Sequence, residues 1–222
     1  RLDDMALGIE CLLSPSIIDA RAKAAHLDDL NKERRVIENE MKTQAQANLK
    51  LQHNLTPAGN KTGVCLYDDD WHQGVIGIVA SRIKDQLHRP VIAFAPSGDN
   101  EMKGSARSIR GLHIRDALAA IDAKNPGLIQ KFGGHAMAAG LTIEAEHFEQ
   151  FARLFDEQAS SSLSTEDLEQ VLVSDGELND KVTLSLVREV LQAVPWGQGF
   201  PEPLFDGEFE ILQQRIVGQR HL

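Results

Sequence analysis

The sequence contains few of the residues on which several protein classes depend. Cys11 and Cys65 are the only cysteines among 222 residues. Two cysteines are too few for a disulfide framework, and no set of Cys or His residues lies near them for zinc. No uncharged apolar run is long enough to cross a bilayer, and no basic leader precedes an apolar stretch. We therefore expect a globular protein with no membrane partner and with the cytoplasm as its default location.

Familiar catalytic motifs are also missing. There is no Walker loop, no dinucleotide fingerprint and no HExxH zinc motif. Asp68, Asp69 and Asp70 form a carboxylate run that could hold a divalent ion, but no histidine or further acid stands at a supporting spacing. This run is therefore interpreted as a solvated loop, and the sequence predicts no metal site.

The charge of the chain is unevenly distributed. The net charge of −10 argues against a nucleic-acid partner, because phosphate binding needs local positive charge. Residues 102–143, however, carry six Lys or Arg against two acids, whereas residues 144–212 carry sixteen acids against three Lys or Arg. A basic segment in an acidic chain is compatible with a polyanion bound at one place and repelled elsewhere.

Hydrophobic spacing divides the chain into three parts. Residues 16–52 predict one long helix, roughly 50 Å in length, without Gly or Pro, of the kind that connects two bodies. Residues 60–162 alternate short apolar runs with helical segments, which predicts a compact α/β domain. After a serine-rich linker, residues 163–222 predict a helix and strand-like stretches at 171–173 and 204–217. These strands look too few to close an all-β module, so a truncated one is expected.

A glycine-rich segment at residues 132–140 is the strongest local signal. Gly133 and Gly134 permit close approach of a ligand to the backbone and offer N–H groups to an anion. The imidazole of His135 could donate to a phosphate. The alternative is a simple turn with a structural histidine.

Residues 103–111 form a second candidate site. On a strand, alternation places Ser105 and Arg107 on one face and Ala106 and Ser108 on the other. A hydroxyl and a guanidinium on one face could clamp a phosphate, since Arg donates two parallel hydrogen bonds to phosphate oxygens. The alternative is a solvated loop with ordinary surface charges.

Residues 71–77 lie at a predicted strand-to-helix turn. The amino terminus of the helix that follows could bind phosphate through its free N–H groups. Trp71 could stack on a base, or it could anchor the turn as a half-buried side chain.

Taken together, these segments resemble the RecJ branch of the DHH phosphoesterase superfamily. The resemblance runs in order along the chain, and its segments are residues 1–5, 71–82, 89–94, 103–108 and 133–140, with residues 195–197 and 201–205 matching the start of the family's OB-fold domain.

The resemblance implies a 5′-to-3′ single-stranded-DNA exonuclease that acts in DNA repair and recombination. Its DHH domain would bind Mg²⁺ or Mn²⁺, and none of the family's metal-ligand motifs is present here. Residues 1–59 are then the end of the DHH region and the connecting helix, 60–162 the DHH-associated domain, and 163–222 an incomplete OB-fold-like segment. The expected fold class is α/β with a mixed sheet. We expect a carboxyl-terminal, substrate-binding fragment that is inactive alone and binds no cofactor.

The resemblance also implies site residues and partners. DNA phosphates would be contacted by Ser105 and Arg107. The family's glycine-rich signature would consist of Gly133, Gly134 and His135, with His135 in a supporting role. A 5′-end phosphate would be contacted by Arg1. Ala106 departs from the family, where glycine is frequent. Single-stranded DNA is the implied partner, with single-strand-binding protein and recombination helicases as candidates.

Two alternatives stay open. One is a non-catalytic single-strand-binding module, although aromatic residues, which would stack on bases, make up only 5% of the chain. The other is a small-nucleotide phosphodiesterase of the same superfamily, although a small ligand needs neither the connecting helix nor the OB-like end.

Overall fold

The computed structural model describes residues 4–55, 61–98, 100–177, 183–197, 199–208 and 210–214, with side chains in the second helix described up to residue 47. The chain divides into two compact units, Arg1–Gln170 and Val171–Leu222. The loop predicted at residues 56–60 lies outside the described residues. In the described part of the chain, no helix is both long enough and apolar enough to span a membrane.

The first unit begins with two helices. Helix α1 (Met5–Leu12) begins after Asp4, whose side chain accepts a hydrogen bond from the Ala6 N–H at 2.9 Å. Helix α2 (Ile17–Leu55) has 39 residues, close to the long helix that the sequence predicts. At 1.5 Å per residue its length is roughly 58 Å.

A five-stranded sheet forms the centre of the first unit. The elements after α2 are, in chain order, β1 (Val64–Tyr67), α3 (Ile76–Leu87), β2 (Val91–Pro96), β3 (Glu101–Arg107), α4 (Ile114–Lys124), β4 (Lys131–Gly134), β5 (Ala138–Glu144) and α5 (Phe148–Ser162). The strand order is β1-β2-β3-β5-β4. Strands β1 and β2 are parallel and are joined by the α3 crossover, whereas the other pairs are antiparallel. The predicted α/β class with a mixed sheet is confirmed.

Helices cover the two faces of the sheet unequally. Helices α4 and α5 pack on one face around a buried core that includes Phe94, Leu118 and Phe151. On the other face, Val79 and Ile83 of α3 pack with buried residues of β1 and β2, and the end of α2 joins them through Met41 and Ala45. Helix α3 also contacts β3, where Gly77 in its first turn lies against this strand. This second face is therefore covered over β1, β2 and one side of β3, and its open half consists of the exposed side of β3 together with β5 and β4.

Strand β4 forms from residues whose local sequence does not predict a strand. Its residues, Lys-Phe-Gly-Gly, contain no β-branched side chain, so local propensity does not indicate a strand. It forms because each of its four residues pairs with β5, from Lys131 opposite Thr142 to Gly134 opposite Ala139. Tertiary pairing overrides the weak local signal.

The second unit differs from its sequence prediction. Helix α6 (Leu184–Ala193) is present and begins at Thr183, whose hydroxyl accepts a hydrogen bond from the Leu186 N–H at 3.2 Å. The strand predicted at 171–173 is wrong, because Val171–Val173 are irregular and more than 70% exposed. Of the stretch at 204–217, the described residues form no strand and make a single bridge, between Asp206 and Glu177. A strand needs a hydrogen-bonded neighbour along its length, and these segments have none in the described part of the unit.

Candidate nucleic-acid interface

The side chains of β3 alternate as the sequence predicts. Met102 and Ala106 are buried in the core, while Ser105 and Arg107 point to the other face and are partly exposed. Ser108, just beyond the strand, is also buried, and its hydroxyl donates to the carbonyl of Leu112 at 2.8 Å. The structure therefore brings a hydroxyl and a guanidinium together on the open half of the sheet.

Arg107 is held in place by local hydrogen bonds. Its Nη1 donates to the hydroxyl of Ser105 at 3.2 Å and to the carbonyl of Ala106 at 2.8 Å. Partial burial lowers the pKa of Arg107 from its ordinary value, but a guanidinium stays charged at physiological pH. Among the described residues, no carboxylate forms an ion pair with Arg107, so its charge is available to a ligand.

A glycine in α3 makes room for this arrangement. A Cβ atom at Gly77 would lie 2.9 Å from Nη2 of Arg107 and 3.0 Å from the hydroxyl of Ser105. Only a residue without a side chain lets both groups lie against the first turn of α3. The sequence analysis placed Gly77 in the turn at residues 71–77 but gave it no role in positioning Arg107, because that role depends on a strand about 30 residues further along the chain.

The turn before α3 differs from the phosphate-binding helix terminus suggested by the sequence. The N–H groups of Val75 and Ile76 donate to the carbonyl of His72, and the Gly74 N–H donates to Nδ1 of the same histidine. These groups are already used, which leaves fewer donors for an anion than a free helix terminus offers. Trp71 is 3% exposed and its Nε1 donates to Oε1 of Gln44 in α2 at 3.0 Å, so it anchors the turn and has no face free for a base.

The predicted glycines have different roles. Gly133 lies beside Gly140 on the open half, and a Cβ at Gly133 would meet no atom within 4 Å. Gly134 has φ +152°, and a Cβ there would lie 2.4 Å from the Cα of Ala139. Gly133 therefore leaves an open backbone surface, whereas Gly134 allows the close approach of β4 and β5.

His135 lies at the tip of the β4–β5 hairpin. Its side chain is exposed, and its backbone N–H donates to the carbonyl of Ala138 at 2.8 Å. Ala138 pairs with Arg107 across the sheet, so His135 lies at the Arg107 end of the open half. Arg1, the remaining predicted site residue, lies outside the described residues.

We define the open face as the exposed sheet surface over β3, β5 and β4. Register pairs arrange its side chains in rows: Lys103, Thr142 and Lys131 in one, Ser105, Gly140 and Gly133 in the next, and Arg107 and Ala138 in the third. A Cβ at Gly140 would meet only the carbonyl oxygen of Gly104, at 3.9 Å. The middle row is thus a backbone floor with polar or cationic side chains on either side.

A group of potential metal ligands lies at the other end of β5. Glu144, Glu146 and His147 have ligand atoms within 4.8 Å of one another. Glu144 pairs with Glu101, six residues before Arg107 on β3, which corresponds to about 20 Å. The sequence analysis did not select this group, and its distance separates it from the Arg107 end of the open face. The carboxylates of the Asp68–Asp70 run form hydrogen bonds within their own loop. Asp68 accepts from the Asp70 N–H, and Asp69 accepts from the hydroxyl of Tyr67.

Comparison with known proteins identifies two domain families along the chain. The DHHA1 domain family matches residues 60–161, and the RecJ OB domain family matches residues 174–222. The chain is 51% identical to the single-stranded-DNA-specific exonuclease RecJ of Dickeya dadantii over all of its own length and 38% of that protein. A crystal structure of RecJ from Thermus thermophilus in complex with Mg²⁺ superposes with a TM-score of 0.73 at 28% identity, over 90% of this chain and 29% of that one. The same protein in complex with Mn²⁺ gives a TM-score of 0.68, over 87% of this chain and 27% of that one.

These matches first define a class, namely chains in which a DHHA1 domain is followed by a RecJ-type OB domain. Within that class, the identity across the whole chain shows that it belongs to the RecJ family. The chain spans 38% of the length of the curated relative it matches.

Proposed function

We propose that this chain is the substrate-binding part of a metal-dependent 5′-to-3′ single-stranded-DNA exonuclease in DNA repair and recombination. The observation that carries the proposal is the open face, where Arg107 and Ser105 stand beside a floor formed by Gly133 and Gly140. A charged guanidinium and a hydroxyl are donors suited to a phosphodiester, and the missing side chains let a polymer backbone approach closely. The RecJ proteins to which the chain is similar act on single-stranded DNA by name.

The open face extends across three strands, which favours a polymer over a single nucleotide. Its rows run over β3, β5 and β4, so the surface is about 10 Å wide at strand spacings of about 5 Å. A small-nucleotide phosphodiesterase would need a closed pocket around one ligand. Single-stranded DNA is therefore the proposed substrate, and recombination helicases and single-strand-binding protein are proposed as partners in the cytoplasm.

The described residues do not fit a two-metal hydrolytic centre at this face. The described group with three potential ligands, Glu144, Glu146 and His147, is about 20 Å along the sheet from Arg107. Asp68 and Asp69 accept hydrogen bonds within their own loop, and Nδ1 of the nearby His72 accepts one from the Gly74 N–H. We assign the Mg²⁺ or Mn²⁺ of the proposed exonuclease to residues outside this chain. The chain itself would position the substrate and supply positive charge.

Arg107→Ala tests the assignment of the open face. In the complete protein it should weaken single-stranded-DNA binding about tenfold to over a hundredfold, because a charge-assisted hydrogen bond contributes about 1.5–3 kcal/mol. The slope of log affinity against log salt should flatten by about 0.7, the value for one phosphate contact on a single strand. Fluorescence anisotropy with a labelled oligothymidylate across a salt series measures both quantities.

Arg153→Ala provides the matched control, since Arg153 is exposed on α5, on the other side of the sheet. It removes the same charge and should leave the affinity nearly unchanged. If Arg107→Ala remains folded and keeps wild-type affinity and slope, the open face is not the DNA path.

A second experiment addresses the metal assignment. The 222-residue chain incubated with 5′-phosphorylated single strands and Mn²⁺ should release no nucleotides. Metal-dependent release by protein free of contaminating nuclease would contradict the assignment of the ions to residues outside the chain.

A further inference from the structure

The row of the open face beyond Ser105 contains two lysines on either side of a threonine. Lys103 pairs with Thr142, and Thr142 pairs with Lys131, so the three residues lie side by side on β3, β5 and β4. At strand spacings of about 5 Å, the Cα atoms of the two lysines are about 10 Å apart. Both flexible side chains can therefore reach a point above the Thr142 hydroxyl.

The two lysine charges are not neutralised within the described residues. Lys103 donates to the neutral amide oxygen of Gln73 at 3.1 Å, and Lys131 is exposed with no ion pair to a described residue. The next row on this face holds Glu101 and Glu144. Neither of these carboxylates pairs with a lysine, and Glu144 accepts a hydrogen bond from the Gln130 amide at 3.3 Å. The row is thus cationic and is bounded by an acidic row on one side.

The spacing of the rows suits a DNA backbone that runs from Arg107 across the glycine floor to the lysines. Along β3, Lys103 and Ser105 are two residues apart, as are Ser105 and Arg107, which separates successive rows by roughly 6.6 Å. The middle row offers backbone at Gly133 and Gly140 with no side chain above it. A strand held by Arg107 can therefore cross the floor and reach the lysine row, while the acidic row repels a path beyond it.

We propose that Lys103, Lys131 and Thr142 bind a second phosphate of the single strand that Arg107 and Ser105 bind. This inference rests on the proposed function and adds a subsite to it. Two ammonium groups and a hydroxyl can surround one phosphate with hydrogen-bond donors, and the bound anion relieves the repulsion between the lysines. The acidic row of Glu101 and Glu144 ends the phosphate path on this face.

The test is the double variant Lys103→Ala/Lys131→Ala in the complete protein, titrated with a labelled oligothymidylate of about twenty nucleotides. The affinity should fall about tenfold or more, and the salt slope should flatten by about 0.7 if the two lysines hold one phosphate. Adding Arg107→Ala should flatten it by about 1.4 in all, because two separate phosphates are then lost.

Arg115→Ala/Lys124→Ala is the charge-matched control, since both side chains are exposed on α4, which packs on the opposite sheet face. It should leave affinity and slope close to those of the wild type. The replacement Lys103→Arg/Lys131→Arg should retain most of the affinity, and thermal unfolding of each variant establishes that it is folded.

The outcomes separate this inference from the proposed function. If Arg107→Ala weakens binding and the folded lysine variant does not, the second subsite is wrong and the proposed function stands. If the control double variant weakens binding equally, diffuse charge explains the effect and the subsite is wrong. A triple variant with the slope of Arg107→Ala alone would place all the cations on one phosphate and would also overturn the inference. If neither Arg107→Ala nor the lysine variant changes binding, the proposed function itself fails.

Discussion

The covered and open halves of one sheet face carry different side chains. On β2, Val91, Ala93 and Ala95 point to this face and are completely buried beneath helix α3. Their register partners on β3 are Arg107, Ser105 and Lys103. The backbone ladder is continuous across this boundary, and the first turn of α3 still lies against Arg107 and Ser105 at Gly77. The change from apolar to polar side chains therefore marks where the buried helix packing ends and where a ligand can bind.

The largest effect should come from a cavity in the covered half. Ile83→Ala removes a fully buried side chain of α3 and should lower the free energy of unfolding by about 2–5 kcal/mol. Lys103→Ala, in the open half, should change it by less than about 0.5 kcal/mol. Urea unfolding followed by circular dichroism measures both, and equal losses would mean that the open half is also part of the packed core.

The next largest difference in stability is expected between substitutions of the adjacent glycines Gly133 and Gly134 in β4. Gly134→Ala should destabilise the protein by about 2 kcal/mol, because its Cβ would overlap the Ala139 backbone at 2.4 Å. Gly133→Ala meets no atom and should be neutral or stabilising by about 0.5 kcal/mol. The larger Gly133→Val should fold yet bind single-stranded DNA less tightly, since it fills the floor. Thermal unfolding and DNA titration of the three variants test this order, which a reversed stability ranking would contradict.

Gly77→Ala should affect binding more than stability. The new methyl group would displace the ends of the Arg107 and Ser105 side chains, which can rotate away at little cost to folding. We expect a change of less than about 1 kcal/mol in unfolding, since alanine also favours the helix. The affinity for single-stranded DNA should fall about three- to tenfold, because the clamp is no longer in place.

Gly8→Ala in α1 is the control for a glycine replaced in a helix, as its Cβ would meet no atom within 4 Å. Its DNA affinity should equal that of the wild type. Unchanged binding by Gly77→Ala would show that Arg107 needs no support from α3.

The smallest effect concerns Tyr67, at the end of β1 on the face that α5 covers. Its hydroxyl donates to Asp69, and this hydrogen bond, with some burial, raises the pKa of Tyr67 to about 12. The folded state favours the neutral form of Tyr67, so the hydrogen bond contributes to the free energy of unfolding. This contribution is complete below pH 10, the ordinary pKa, and is lost as the pH rises through 12. Tyr67 is the only tyrosine, so absorbance at 295 nm follows it directly.

The Asp69→Asn variant should bring the titration midpoint of Tyr67 back toward that of the denatured chain. A native midpoint that already equals the denatured one would show that the hydrogen bond is absent in solution.

Several elements could be predicted from local sequence because their residue pattern is typical of a single type of secondary structure. Val64–Tyr67 is a short apolar run and forms β1, and the spacing of Val79 and Ile83 predicts the buried side of α3. The alternation around Ser105 placed it with Arg107 on one face, since a strand has a period of two. In contrast, the residues of Lys131–Gly134 do not predict a strand, yet they form one. Val171–Val173 have the apolar pattern of a strand, yet they pair with no neighbouring strand in the described part of the chain.

The sequence by itself determined the α/β class, the long helix, the basic segment and the side-chain alternation of β3, because each depends on residues close together in the chain. Only the tertiary structure decided that β4 pairs with β5, that Gly77 makes room for Arg107, and that Lys103 and Lys131 flank Thr142. The physical reason is that strand register and helix packing join residues distant in sequence, and hydrogen bonding and burial select one arrangement among many that the local patterns allow.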